Sequence, residues 1–185
     1  MNDARTDHLD AWLQREAHLQ QLIDQGRGPG SVSLSEVRPL TGLEAMTRVM
    51  DGRLPYATIA KTLDYLLVEV GDGLAVFQGQ PRDTQLNPMG GIHGGWYATL
   101  LDSAMACAVH TKMPAGRSYT TSELSLNIVR AIRPDTPRVR AVGEVLHCGR
   151  QLATAHGRLI GPDGTLYAHG TTTCLVFDLP PEKQA

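Results

Sequence analysis

"NPMGGIHGGWYATLLDSAMACAV", Asn87 to Val109, decides the fold. Between Asp83 and Lys112 the chain has one formally charged side chain, Asp102. Trp96 to Val109 is apolar on nearly every side and carries Ala98, Ala104, Ala106 and Ala108, which predicts a helix enclosed by other elements. Asp is a poor interior helix former, and an unpaired buried carboxylate costs several kcal/mol. Something must compensate Asp102. His93-Gly94-Gly95 stands where the helix should start. Glycines there admit another group close to the backbone, and the free N–H groups of a first helical turn form an anion site of the oxyanion-hole kind.

Gly94 and Asp102 are eight residues apart, about 12 Å along a helix axis. An attacking carboxylate and its oxyanion donors must both lie within about 3 Å of one reacting centre. One chain alone does not satisfy both. Two such helices packed antiparallel about a two-fold axis would set Asp102 of one beside Gly94 of the other, twice. The alanines suit close helix approach, so a homodimer with two shared sites is expected.

Working outward, residues 8 to 25 carry Leu9, Trp12, Leu13, Leu19, Leu22 and Ile23 at helical spacing and stop at GRGPGS, a surface helix and a linker. Thr41 and Glu44 have capping-box spacing, so a short helix should begin near Gly42 and end by Gly52. Tyr65 to Val70 and Leu74 to Gln78 flank Gly71-Asp72-Gly73, a hairpin signal. After the central helix come four strand-like runs, Thr120 to Ala131, Arg138 to His147, Leu152 to Ile160 and Thr165 to Phe177. Their breaks are too short for crossover helices, which predicts an antiparallel meander with the central helix across one face. The division expected is a helical extension over 1–52, one core domain over 53–179 and a tail over 180–185.

The 185 residues can bury a sizeable core, and their composition, 42% hydrophobic and 19% charged, is that of a globular chain. A net charge of −2 gives no overall basic footprint for nucleic acid. From Lys112 to Arg158, however, eight Lys/Arg stand against three Asp/Glu, a local +5. No basic, apolar leader opens the sequence, and no run is long and uncharged enough for a membrane span, so no membrane is expected. Cys107, Cys148 and Cys174 are odd in number and widely spaced, which suggests reduced thiols and a cytoplasmic protein. His110, His147, His156 and His169 have no metal spacing; neither metal nor cofactor is expected.

Asn87-x5-His93-Gly94-Gly95-x6-Asp102, the TTSEL stretch at Thr120 to Leu124 and HCGR at His147 to Arg150 together resemble the hotdog-fold acyl-CoA thioesterases of the phenylacetate-pathway (PaaI-like) family. The resemblance covers roughly Ile59 to Phe177. It implies an α+β fold in which a long helix is wrapped by a curved antiparallel sheet of about five to six strands, a dimer of dimers, and thioester hydrolysis of an acyl-CoA substrate. It implies that Asp102 acts as nucleophile or as base toward water, and that the Gly94 N–H polarises the thioester carbonyl. Asn87 and His93 would line that site, and Thr121 would place a hydroxyl near the carboxylate, with Thr120 or Ser122 one position away. Gly95 falls in the same glycine turn.

Coenzyme A carries phosphates, for which Arg117, Arg133 and Arg150 are candidates at predicted strand ends or loops. Blander roles stand beside these: Asp102 as a packing carboxylate, His93 as a cap, Asn87 as a turn residue, the arginines as a solvated face, and Tyr97, Met105 and Met113 as core. Two other functions compete. A hotdog hydratase would need a second His, absent from the eight residues after His93. A non-catalytic acyl-CoA-binding or sensing module would bind without turnover, though residues 1 to 30 are too little for a helix-turn-helix.

Overall fold

The computed structural model describes residues 3–181. The chain runs α1 (Asp3–Asp24), α2 (Leu34–Val37), α3 (Gly42–Met50), α4 (Thr58–Leu63), β1 (Tyr65–Gly71), β2 (Leu74–Gly79), α5 (Gly94–Thr111), β3 (Arg117–Ile128), β4 (Val139–Cys148), β5 (Leu152–Ile160) and β6 (Leu166–Asp178). Local chemistry sets most of these bounds. The expected capping box starts α3: Thr41 Oγ1 accepts the Glu44 N–H, and the Glu44 carboxylate accepts the Thr41 N–H at 2.8 Å. The β1–β2 hairpin turns on Gly73, whose φ of 76° favours glycine. Of the expected tail over 180–185, residues 182–185 lie outside those described.

Six antiparallel strands form one sheet in the order β1-β2-β4-β5-β6-β3. This corrects the expected meander. β4, β5 and β6 are joined by hairpins, but β3 pairs with β6 instead of with β4. The β1–β2 hairpin occupies the β4 edge that β3 would have taken, so β3 lies at the far edge. The linking segment 129–138, with Pro134 and Pro137, needs no helix to make the crossing: ten extended residues reach about 33 Å, against about 14 Å for three strand spacings.

The sheet curls around α5, which touches all six strands. Leu100, Leu101, Ala104, Met105, Ala108 and Val109 are fully buried on its sheet-facing side. Each large one contributes roughly 1.5–3 kcal/mol by leaving water. Tyr97 and Met113 are likewise core. The close approach depends on Gly143 in β4, where a Cβ would stand 2.3 Å from the Ala104 backbone. A methyl there would push the helix off the sheet.

The opposite face of the sheet is covered at one end by α1. Leu19 and Ile23 are buried, and Leu19 packs with Val68 of β1 and Val76 of β2. Beneath the helix, Gln78 donates to Glu16, Arg138 pairs with Glu16 at 2.7 Å, and Arg140 lies 4.3 Å from the Trp12 ring centre. Burial pulls the Arg140 guanidinium down to about 10. Two of the seven arginines of the basic stretch, Arg138 and Arg140, are therefore engaged with α1. Among the described residues no helix is long and apolar enough to cross a membrane.

Candidate active site

Asp102 lies on a partly exposed strip of α5 with Ala98 and Thr99. The Thr121 hydroxyl donates to Asp102 Oδ1 at 3.0 Å. A bulge between Thr121 and Glu123 sets this choice among three neighbouring hydroxyls. The Ser122 hydroxyl donates to the Thr173 carbonyl, and Thr120 is exposed. Two thiols and a phenol surround the carboxylate. Burial pushes the Cys107 thiol up to about 12 and the Tyr119 hydroxyl well above its ordinary range, and the Asp102 charge adds to both. The Cys107 thiol and the Tyr119 hydroxyl therefore stay protonated.

His93 caps α5. Its backbone is extended, its imidazole Nδ1 accepts the Gly95 N–H at 2.9 Å, and its carbonyl accepts the Trp96 N–H. The imidazole is thus an acceptor at Nδ1, which puts the proton of the neutral ring on Nε2. The Gly95 N–H is used up in this cap. Among the described residues nothing accepts the Gly94 N–H. It is the unspent donor of the first turn, at the positive end of the helix dipole.

Asn87 shapes the loop ahead of the cap. Its Oδ1 accepts the Met89 and Gly91 N–H groups at 2.9 and 3.2 Å, a turn role. Asn87 and Gly94 also share a cleft of about 370 Å³ with Tyr97, Ile128 and Arg130. The structure therefore makes two groupings, Asp102 with Thr121 and Gly94 with Asn87. They are held apart on both elements: by eight residues of α5, about 12 Å, and by the seven positions of β3 from Thr121 to Ile128, about 23 Å. A Cβ on Gly94 would touch Ile128, which ties the second grouping to the end of β3.

The arginines also divide. Arg117 pairs with Asp178 at 3.0 Å and donates to the Arg150 carbonyl, and both border an open cleft of about 480 Å³ at the start of β3. Arg133 is exposed in the loop beyond the other end, some 36 Å or more away by strand rise. Arg130, in the cleft with Gly94, was not singled out from the sequence. It stands in a run of similar basic residues, and only its place on the cleft wall distinguishes it. Among the described residues Arg130, Arg133 and Arg150 have no carboxylate partner, whereas Lys112, Arg117, Arg138 and Arg158 do.

A single long helix wrapped by a curled six-stranded antiparallel sheet, with a lone carboxylate and a glycine-rich helix start, defines the hotdog class. Residues 89–168 match the model of the thioesterase superfamily, and with the fold and its similar structures this makes the chain a thioester hydrolase by class. Among solved structures, it is similar to a phenylacetic acid degradation-related protein from Ralstonia eutropha at 28% identity, covering 70% of this chain and 98% of that one with a TM-score of 0.64. It is also similar to the phenylacetic acid degradation protein PaaI from Thermus thermophilus, at 26% identity, 64% and 97% coverage and a TM-score of 0.57. A thioesterase from Haemophilus influenzae shares the fold at 14% identity, with 84% and 97% coverage and a TM-score of 0.63. Comparison with curated proteins returns no match.

Proposed function

We propose that this chain hydrolyses acyl- or aryl-coenzyme A thioesters to the free acid and CoA, in sites each completed by two chains. The observation that carries the reading is the pairing of a hydroxyl-held carboxylate on a partly exposed helix strip with an unspent N–H at the same helix's start. The thioester carbonyl oxygen accepts the Gly94 N–H of one chain, and that fixed dipole favours the negative charge developing on it. Asp102 of the other chain attacks the carbonyl carbon, the C–S bond breaks, CoA leaves as thiolate and takes a proton from water, and water then cleaves the mixed anhydride. In the alternative route Asp102 takes a proton from water, whose oxygen attacks the same carbon.

The exposed outer edge of β3 supports the two-chain reading. Among the described residues β3 pairs within the sheet with β6 alone, and Leu124 and Ile128 on it are 36% and 45% exposed. An unprotected edge of this kind is a template for pairing. Antiparallel pairing of two such edges would bring Thr121 of one chain toward Ile128 of the other, as antiparallel helices would bring Asp102 toward Gly94. Such dimers would pair further into a tetramer. Arg130, Arg133 and Arg150 are free to meet the CoA phosphates, and three unpaired thiols suit the cytoplasm.

The test is release of free thiol from an acyl-CoA panel. Wild type should turn over at least one acyl-CoA, and Asp102→Asn should lose turnover at least 10³-fold with an unchanged or higher Tm. A large fall in Tm for Asp102→Asn would assign the carboxylate to packing. Heat protection by acyl-CoA without thiol release would favour a binding module.

A further inference from the structure

Resting on that reading, the structure assigns the acyl group's pocket: an apolar cavity of about 210 Å³ between α3, the 55–60 segment, β1 and α5, sized for an uncharged acyl or aryl group of about seven carbons. All its lining residues except Ser103 and Cys107 precede residue 89, so the matched superfamily segment does not include most of its wall. Met46, Val49 and Met50 of α3 form one side, and Phe77 and Tyr65 the other.

Three observations join this cavity to the thioester site. First, its α5 wall is Ser103 and Cys107, one and five positions beyond Asp102, so the carboxylate strip and the cavity wall adjoin on one helix. Second, the Asp102 charge reaches both the Cys107 thiol and the Tyr65 hydroxyl, acting with burial to hold each protonated. Third, the lining contains no charged side chain. Its polar groups include the Tyr65 and Ser103 hydroxyls, which satisfy each other at 3.1 Å. A carboxylate-bearing acyl group would find no cation there and would lose its hydration.

The size follows from the volume. An apolar cavity of about 150 Å³ takes a six-carbon ring such as benzene, so one of about 210 Å³ takes a group of roughly seven or eight carbons. Ile59, 48% exposed, stands at the rim, so a much longer chain would run out into water beside it. α3 is therefore a specificity element, and its residues set the acyl chain length.

Two measurements test this. Thiol release is followed for straight-chain acyl-CoAs from two to sixteen carbons and for succinyl-CoA, and binding of the non-hydrolysable thioether S-octyl-CoA is followed by calorimetry. Wild type should show its highest kcat/KM between hexanoyl and decanoyl, with succinyl-CoA at least about 100-fold lower. Val49→Phe should lower the octanoyl-to-acetyl ratio of kcat/KM at least about tenfold and weaken S-octyl-CoA binding by a similar factor, since a misfit of a few methylenes in an apolar pocket discriminates by that much. If Val49→Phe does not fold, Met50→Ala takes its place and should move the optimum two or more carbons longer. A flat chain-length profile, or S-octyl-CoA binding unmoved by these substitutions, overturns the pocket. If no acyl-CoA releases thiol while binding still responds to Val49→Phe, hydrolysis fails as the function and the pocket stands.

Discussion

Asp102 interrupts an otherwise apolar helix, and its one hydrogen-bond partner among the described residues, the Thr121 hydroxyl, decides which way its carboxylate faces. A hydrogen bond to a charged group contributes about 1.5–3 kcal/mol, which corresponds to roughly 10–100-fold in rate if the bond orients the carboxylate during reaction. Thr121→Val keeps the branched shape and removes the donor, so kcat should fall by about that factor with KM little changed, and Thr121→Ser should recover most of it. Equal kcat in Thr121→Val and wild type would reduce the hydroxyl to packing. His110 has a different consequence. Burial against the edge of Tyr119, 5.3 Å between ring centres, pulls its pKa below the ordinary 6.5. The folded protein then binds fewer protons at this site than the unfolded chain, so stability is full above about pH 6.5 and is lost as pH falls below it. The Tm should drop between pH 7.5 and 5, and His110→Phe, which keeps the ring contact, should flatten part of that slope.

At the scale of elements, the start of α5 provides a way to remove a main-chain donor, which an ordinary side-chain substitution leaves in place. Gly94 is the first helical residue, where proline is tolerated because the missing N–H has no intrahelical acceptor. His93 before it is already extended, at φ −64° and ψ 137°, as a residue preceding proline requires. Gly94 does not have a positive φ, and an added Cβ meets only the end of the Ile128 side chain at 3.3 Å. Gly94→Pro should thus keep the helix and a Tm within a few degrees of wild type, while kcat falls about 10²–10³-fold if this N–H is the oxyanion donor. Activity near wild type would transfer that role elsewhere. The same element shows what a sequence can and cannot say. The α5 span, the α3 capping box and the Gly73 turn were legible because each is written within a few neighbouring residues. The β3–β6 pairing was not, because it depends on which strands compete for the β4 edge, a contest between segments some sixty residues apart. α1 announced an apolar stripe in Leu19 and Ile23, but nothing in that stripe names the outer sheet face it covers. Of the site, Asp102 and the glycine turn stood out as a charge and a flexible step in an apolar run. Arg130 and the α3 cavity did not, since arginine in a basic run and methionine on a helix are ordinary locally and acquire meaning only from the walls they share.

On the proposed reading the whole molecule must reconcile two half-sites that one chain holds about 12 Å apart along α5 and about 23 Å apart along β3. A rigid sheet gripping the helix along its length leaves no internal motion that closes such a gap, because Gly143 locks the two backbones at van der Waals distance. A two-fold axis through the partly exposed strip of α5 would bring each half-site to its complement without moving either element. Mixing two inactive variants reads this directly. In a hybrid of Asp102→Asn with Gly94→Pro, one site receives the intact carboxylate from the second chain and the intact N–H from the first, and the other site receives neither. After full subunit exchange half of the dimers are hybrids and each has one of its two sites whole, so about a quarter of wild-type kcat should return. Either variant incubated alone should stay at its own residual level. If the site were completed inside a single chain, every chain in the mixture would still lack one of the two groups. Activity would then remain at the average of the two variants, and the two-chain construction would be wrong.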